Sequence, residues 1–266
     1  MTAEKDCWAW QAKVDAESDP EKVEAIYLEG LKDFPESIEL TYNFARFMAR
    51  VRKNYTEAER LYRRALEIDP KDTDTLGNLA VLLADIHKKH DEAERLHRQA
   101  LELDPEDANN TGNFAAFLYK VRKDNEGAER LYRKALELDP DHAIHTSNFA
   151  SFLADTLKDD DEAQWLYRRA YELDPKDSCN LGNFANFMWE NRRNHRGAEQ
   201  LYREALQLDP DNPWHNANFA EFVEQVHGEY SEANRLYQQA LKFGPDLEWV
   251  KIEYARFLAE HPEFAK

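Results

Sequence analysis

Glycine and proline are scarce in this 266-residue chain, at 8 and 10 residues, which excludes collagen-like and linker-like sequences. Cysteine is nearly missing. Cys7 and Cys179 cannot build a disulfide framework or a metal quartet, and so few thiols suit a reducing compartment. The longest clean apolar run extends only from Leu79 to Ala84, far short of a membrane span. The opening residues have neither an apolar signal core nor Arg-rich transit character. Basic residues are in deficit: 35 Lys and Arg stand against 53 Asp and Glu, a net charge of −18. A polyanion of this kind is a poor general ligand for phosphate backbones. The expectation is a cytoplasmic chain without a membrane or nucleic-acid partner.

What the chain does have is a ruler. Prolines recur at 35, 70, 105, 140, 175, 210 and 245, and five of them follow an aspartate. Alanine columns keep the same step: Ala45, Ala80, Ala115, Ala150, Ala185, Ala220 and Ala255; Ala58, Ala93, Ala128, Ala163, Ala198 and Ala233; Ala65, Ala100, Ala135, Ala170, Ala205 and Ala240. Such self-similarity marks a repeat architecture. Within one unit, Leu76, Leu79, Ala80, Leu83 and Ile86 share a face at helical spacing, and so do Ala93, Leu96, His97, Ala100 and Leu101. Each unit is therefore a pair of helices. Thr56 and Asp91 are the expected N-caps of second helices, with Glu59 and Glu94 closing a capping box. The proline ends each hairpin, because the residue before it avoids the helical region. Alanines let helix axes approach, while Phe44, Phe47, Leu61, Tyr62 and their equivalents fill the layers between units. A single hairpin cannot cover its own apolar faces, so neighbours must stack.

These columns resemble the tetratricopeptide repeat. Phe44, Ala45 and Met48 fall in the first-helix motif, Ala58 and Tyr62 fit its A-x3-F element, and Pro70 closes the unit. The unit has 35 residues instead of the usual 34, the extra one falling between Ala45 and Ala58. The resemblance implies an all-α, right-handed α-solenoid of stacked helix-turn-helix hairpins. Residues 1–35 form a degenerate N-terminal capping hairpin in this division. Six tandem units follow at 36–70, 71–105, 106–140, 141–175, 176–210 and 211–245, and residues 246–266 make a C-terminal capping helix and tail. In the first hairpin Val23, Tyr27 and Gly30 keep the register of Ala58, Tyr62 and Ala65, while Trp8 and Trp10 stand outside it.

No constellation for catalysis is present, and no cofactor or metal is called for. His87 with His90, and His142 with His145, have a spacing that could pair two ligands, but no third recurs nearby. Asp159, Asp160, Asp161 and Glu162 read as an N-cap cluster. Cys179 has no histidine beside it in sequence and reads as inert. Gly77, Gly112 and Gly182 share one column and serve repeat geometry. Basic residues after each first helix, such as Arg50, Arg52 and Lys53, read as cations at helix C-termini. Glu59 and Arg63 stand in the favourable order for an ion pair four residues apart.

The remaining column is polar: Asn43, Asn78, Asn113, Asn148, Asn183 and Asn218. In the family it resembles, first helices line a concave surface where matching asparagines bond the backbone of an extended peptide. An amide both donates and accepts, so the resemblance implies a non-catalytic, peptide-binding groove. Its further candidates are Arg46, Tyr119, Asn186, Trp189 and Glu190. Tyr119 and Trp189 are aromatics where other units carry alanine, as binding anchors would be. The acidic residues Glu39, Asp74, Asp85, Asp155, Glu190, Glu221 and Glu224 predict a partner protein or peptide that is neutral to basic. No lysine precedes the asparagines by four, so a clamp for acidic chaperone tails is not expected. The rival reading is a structural or self-assembling scaffold that uses its ends or convex face. A monomer is expected of the first reading, self-association of the second.

Overall fold

A computed structural model describes residues 3–265, with side chains from Ala9 onward. Cys7 and Trp8 lie outside the described side chains. Fifteen α-helices and no strand occur among the described residues. The chain divides into two compact units, Met1–Leu138 and Asp139–Lys266, and the division falls at one Asp-Pro step of the repeat.

The first unit holds four hairpins: α1 (Ala3–Asp15) with α2 (Pro20–Asp33), α3 (Ile38–Arg50) with α4 (Tyr55–Ile68), α5 (Thr73–Asp85) with α6 (His90–Leu103), and α7 (Ala108–Phe117) with α8 (Asn125–Leu138). The second holds α9 (Ala143–Phe152) with α10 (Asp160–Leu173), α11 (Ser178–Glu190) with α12 (His195–Leu208), α13 (Pro213–Phe222) with α14 (Tyr230–Phe243), and α15 (Glu248–Glu260). Inside each unit the two helices of a hairpin pack together and its second helix packs on the next hairpin, down to α14 on α15, which is the all-α solenoid arrangement that the periodicity predicts.

The two alanine columns of the second helices are fully buried from Ala58 to Ala240, and so is the first-helix column from Ala45 to Ala220, while Ala255 on α15 is exposed. Between hairpins the rings meet as the spacing implies. Tyr27 stacks on Phe44 at 5.1 Å, Tyr167 on Phe184 at 5.3 Å, and Tyr202 lies 5.4 Å from both Phe219 and Phe222. Burying side chains of this size is worth roughly 1.5–3 kcal/mol each. Gly77 has a steric reason: a Cβ there would sit 1.7 Å from Asn110 Oδ1, and one at Gly182 would sit 2.7 Å from His215 Nδ1. The first hairpin keeps the register too, with Val23, Tyr27 and Gly30 buried on α2.

Two local expectations are corrected. The second-helix caps lie two residues earlier than Thr56. Asn54, Asp124, Asp159 and Asn194 accept from the backbone N–H three residues on, while Lys89 caps α6 with no side-chain bond. The position after Thr56 and Asp91 is already helical, so Glu59 and Glu94 are free for ion pairs instead. Glu59 takes Arg63 and Lys89, each at 2.8 Å. The basic residues after first helices also do more than face a helix dipole. Arg52 pairs with Glu24 at 2.9 Å, Arg122 with Glu94 at 2.6 Å and Arg192 with Asp161 at 2.8 Å. Each reaches the second helix of the preceding hairpin.

The extra residue of the repeat is placed at the end of the first helix. Three first helices continue into π-helical turns, at Leu118–Arg122, Leu153–Leu157 and Val223–His227. The others widen in the same way: Arg52, His87 and Arg192 donate to the carbonyl five residues back. A π turn is the usual way to insert one residue into a helix. Each wide turn closes on a left-handed residue: Lys53, Lys88, Lys123, Lys158, Arg193 and Gly228 all have φ between 54° and 65°. The next N–H then bonds back six residues, as Asn54 does to Met48 at 2.9 Å, one residue wider than the closure of a Schellman motif.

Candidate functional site

The asparagine column lies along first helices, where Asn43, Asn78, Asn113, Asn148, Asn183 and Asn218 are all half-buried. They are not equivalent. Asn43 donates to Gln11 Oε1 at 3.0 Å, and Asn78 donates to Tyr42 Oη at 3.1 Å and to the Asp74 carbonyl. No hydrogen bond engages the side chains of Asn113, Asn148, Asn183 or Asn218 among the described residues. Four amides thus keep unspent donors and acceptors on half-buried first-helix positions, one in the first unit and three in the second. A half-buried amide of this kind has its hydrogen-bonding capacity directed outward.

In the second unit, Asn183, Asn186 and Glu190 on α11 meet Ser151, Asp155 and Tyr167 around a cavity of about 230 Å³. These three α11 residues share one face through helical spacing. Asn186 accepts from Tyr202 Oη at 2.5 Å, and the hydroxyls of Ser151 and Tyr167 lie 2.8 Å apart. Burial pushes the Tyr167 hydroxyl pKa up, so it stays protonated. The cavity is polar, has one acidic rim and is sized for a side chain.

Three carboxylates on first helices, two in the second unit and one in the first, are held above their ordinary pKa. Partial desolvation raises Glu190, and Asp155 nearby raises it further. Desolvation likewise raises Glu221, followed by Glu253, and raises Asp74, followed by Asp72 and Asp107. No cation closes on Glu190 in an ion pair among the described residues.

Three expected residues stand differently. Trp189 is buried at 7% exposure, with Phe222 edge-on at 5.6 Å. The structure therefore puts it in the packing between α11 and α13, because α13 brings a phenylalanine over the ring. Tyr119 is half-buried in a π turn with the Lys123 ammonium 5.9 Å above it. Arg46 lies 5.5 Å over the Tyr42 ring. Glu224, grouped with the acidic face by sequence, is buried instead. Arg256 grips both its oxygens at 2.8 and 2.9 Å, so neither residue lies on an open face. Glu224, Glu260 and His261 come close enough to share an ion, but Arg256 already occupies both carboxylates.

The histidine pairs have structural duties. His142 is the N-cap of α9, accepting from the His145 N–H at 3.2 Å, and its ring stacks on His145. His87 faces Glu59 at 3.3 Å. Cys179 is exposed, and burial of its sulfur surroundings pushes the thiol pKa up, away from nucleophilic thiolate character. One feature escaped the sequence reading. Four residues before the asparagines, the second unit carries Ile144, Cys179 and Trp214, with Trp249 in the same column before Glu253, where the first has Glu39, Asp74 and Asn109. Ile144 is 52% and Trp214 50% exposed, and Trp214 stacks on Trp249 at 5.6 Å. The contrast was legible as a column, but its exposure was not.

Tetratricopeptide repeat models match residues 36–106 and 118–178. No curated protein matches the chain. Among solved structures, Pseudomonas aeruginosa pilF superposes with a TM-score of 0.60 at 22% identity, covering 85% of this chain and 98% of its own. A tetratricopeptide repeat protein from Parabacteroides merdae gives 0.67 at 16% identity, covering 93% and 94%. A monomeric mutant of IFIT1 with m7Gppp-AAAA gives 0.74 at 18% identity, covering 90% of this chain and 58% of its own. At these identities the likeness is one of fold. No helix among the described residues is long and apolar enough to cross a membrane.

Proposed function

We propose, for a chain that belongs to the tetratricopeptide-repeat family, a non-catalytic scaffold that binds a segment of a partner protein along its first helices. The observation that carries this reading is the set of unspent amides at Asn113, Asn148, Asn183 and Asn218. An amide that both donates and accepts can hold a peptide unit whatever its side chain. The acidic groups around it favour a neutral to basic segment. The nucleic-acid ligand seen with IFIT1 does not transfer, because Asp155, Glu190 and Glu221 would repel phosphate. The chemistry asked of the face is recognition alone, since no nucleophile with an activating base is assembled on it.

The test begins with random ten-residue peptides displayed on phage and panned on the full chain. Selected peptides should lose at least tenfold in affinity when Asn148, Asn183 and Asn218 are all replaced by alanine, each lost hydrogen bond being worth roughly 1 kcal/mol. Arg63→Ala, on a second helix, should leave their binding intact. Peptides indifferent to the triple change but lost with Arg63→Ala would move the contact to the outer helices. Light scattering that shows mass growing with concentration would favour a self-assembling scaffold instead.

A further inference from the structure

The second unit's face is sided. Reading along α11, Cys179, Asn183, Asn186 and Glu190 succeed one another at helical spacing on a single face. Cys179 opens the helix and Glu190 ends it. At 1.5 Å per residue the two lie roughly 16 Å apart along the axis. The same order repeats on α9 and on α13. There Ile144, Asn148 and Asp155 follow one another from the start of α9 into its π turn, and Trp214, Asn218 and Glu221 run along α13. Three rails therefore cross the helices: an apolar one at their N-terminal ends, an amide one in the middle, and an acidic one beyond it, formed by Asp155 and Glu190 at the C-terminal ends and by Glu221 one turn earlier, where Gln225 holds the equivalent end position.

The acidic rail is costly where it stands. Helix C-termini carry partial negative charge, so carboxylates there oppose the macrodipole. Glu190 and Glu221 are also partly desolvated among further carboxylates, as their raised pKa values record. The apolar rail is exposed at Ile144 and Trp214 although the hairpin cores are closed. Both features run parallel to the unspent amides.

We propose that the second unit takes an extended basic-apolar segment, one flank apolar and the other carrying lysine or arginine. This deepens the reading of the face as a peptide-binding surface and rests on it. In an extended chain successive side chains project to opposite sides. With the backbone over Asn148, Asn183 and Asn218, one set reaches Ile144 and the stacked Trp214 and Trp249. The other set reaches Asp155, Glu190 and Glu221. The cavity of about 230 Å³ between Ser151, Tyr167, Asn186 and the Asp155–Glu190 rim receives one cationic side chain, whose N–H donors meet carboxylate and hydroxyl acceptors. The first unit is not part of this surface: Glu39, Asp74 and Asn109 hold the apolar positions there, and where Asp155 and Glu190 stand it carries Arg50 and Lys120 on either side of a single carboxylate, Asp85.

The measurement is fluorescence polarisation of the full chain with four labelled ten-residue peptides: alternating Leu and Lys, Leu and Glu, Ser and Lys, and Leu and Ser. The Leu–Lys peptide should bind at least tenfold more tightly than the other three. Its affinity should fall to the Ser–Lys level in Ile144→Lys and in Trp214→Ala. It should fall to the Leu–Ser level, with its salt dependence flattened, when Glu190→Gln and Glu221→Gln are combined. Ile144→Lys changes an exposed residue and so guards against a misfolded Trp214 variant. Equal or tighter binding of the Leu–Glu peptide would overturn the assignment, as would Leu–Lys binding indifferent to these substitutions. If the assignment fails while the triple asparagine variant still loses the phage-selected peptides, the broader groove reading survives. If that variant loses nothing, the groove reading itself has failed.

Discussion

Small residues and turn residues carry the repeat at the scale of single positions. Gly77 sits under Asn110, whose amide donates to the Thr73 carbonyl at 3.0 Å. Gly77→Ala should therefore destabilise the chain although alanine is the better helix former by up to about 1 kcal/mol. Forcing a methyl against Asn110 breaks a contact between hairpins, and overpacking of this kind costs roughly 1–3 kcal/mol. Urea unfolding should show the loss; a gain in stability would mean that the small column is dispensable. Lys158 makes the opposite case. Its φ of 57° is a left-handed conformation at the close of a π turn, which costs an L-residue roughly 1–2 kcal/mol. Lys158→Gly should raise stability by about 1 kcal/mol and Lys158→Val should lower it, both read by thermal unfolding. If Lys158→Gly lowers it instead, the cation at that helix end outweighs the strain.

At the scale of elements, α15 is held by more than apolar contact. Phe257 is fully buried, its ring 5.5 Å from Tyr237, while Arg256 reaches back to the buried Glu224. Removing the guanidinium leaves the buried Glu224 carboxylate with Tyr237 Oη as its remaining donor, and because Arg256 is one-third exposed the cost falls below the roughly 3–5 kcal/mol of breaking a fully buried pair. Arg256→Ala should speed hydrogen exchange in α14 and α15 and leave α9 unchanged. Uniform protection after the substitution would show that the apolar contacts of Phe257 suffice. This pair also shows where sequence reading stops. Helix pairs, stacking rings and the asparagine column were legible because each obeys a period of 35. The Glu224–Arg256 pair was not, since the positions equivalent to Glu224 elsewhere are neutral, the column of Arg256 runs from Arg46 through Ser151 to Glu221 with no fixed charge, and no column announces the pair. Trp189 was misjudged as open for a related reason. Alanine in the other units shows that a small residue is tolerated, but not that Phe222 of the next hairpin rises to cover a large one. Thr56 and Asn54 both suit a cap, and only the backbone decides between them. The apolar rail of the second unit was visible as letters and became a surface only with its exposure.

Over the whole molecule, an array of stacked hairpins has no single core, and a weakness in one layer is felt by its neighbours. Within the units the ring at the inter-hairpin layers is tyrosine at Tyr27, Tyr62, Tyr167, Tyr202 and Tyr237, but the second helix α6 supplies His97. His97 is buried with Phe114 stacked at 5.3 Å and Phe117 at 5.4 Å, and neither ring nitrogen has a partner. Burial lowers its pKa from 6.5 to about 3. The folded chain therefore refuses a proton that the unfolded chain accepts. Stability must fall as pH drops through 6.5, and the loss levels off below about 3. By pH 4 the histidine should have removed roughly 3 kcal/mol from the layer it occupies, at 1.36 kcal/mol per pKa unit. His145, lowered by burial to about 4, places a similar liability in the second unit. His97→Tyr restores the residue of the other layers and removes the titrating group. It should leave exchange of α6 and α7 amides near its neutral-pH protection when the pH is taken from 7 to 4, after correction for intrinsic rates, while α9 remains acid-sensitive in the same sample. If α6 and α7 lose protection equally with and without His97, the acid weakness of the first unit lies in its carboxylate pairs, such as Glu59 with Arg63 and Lys89, and not in the buried ring.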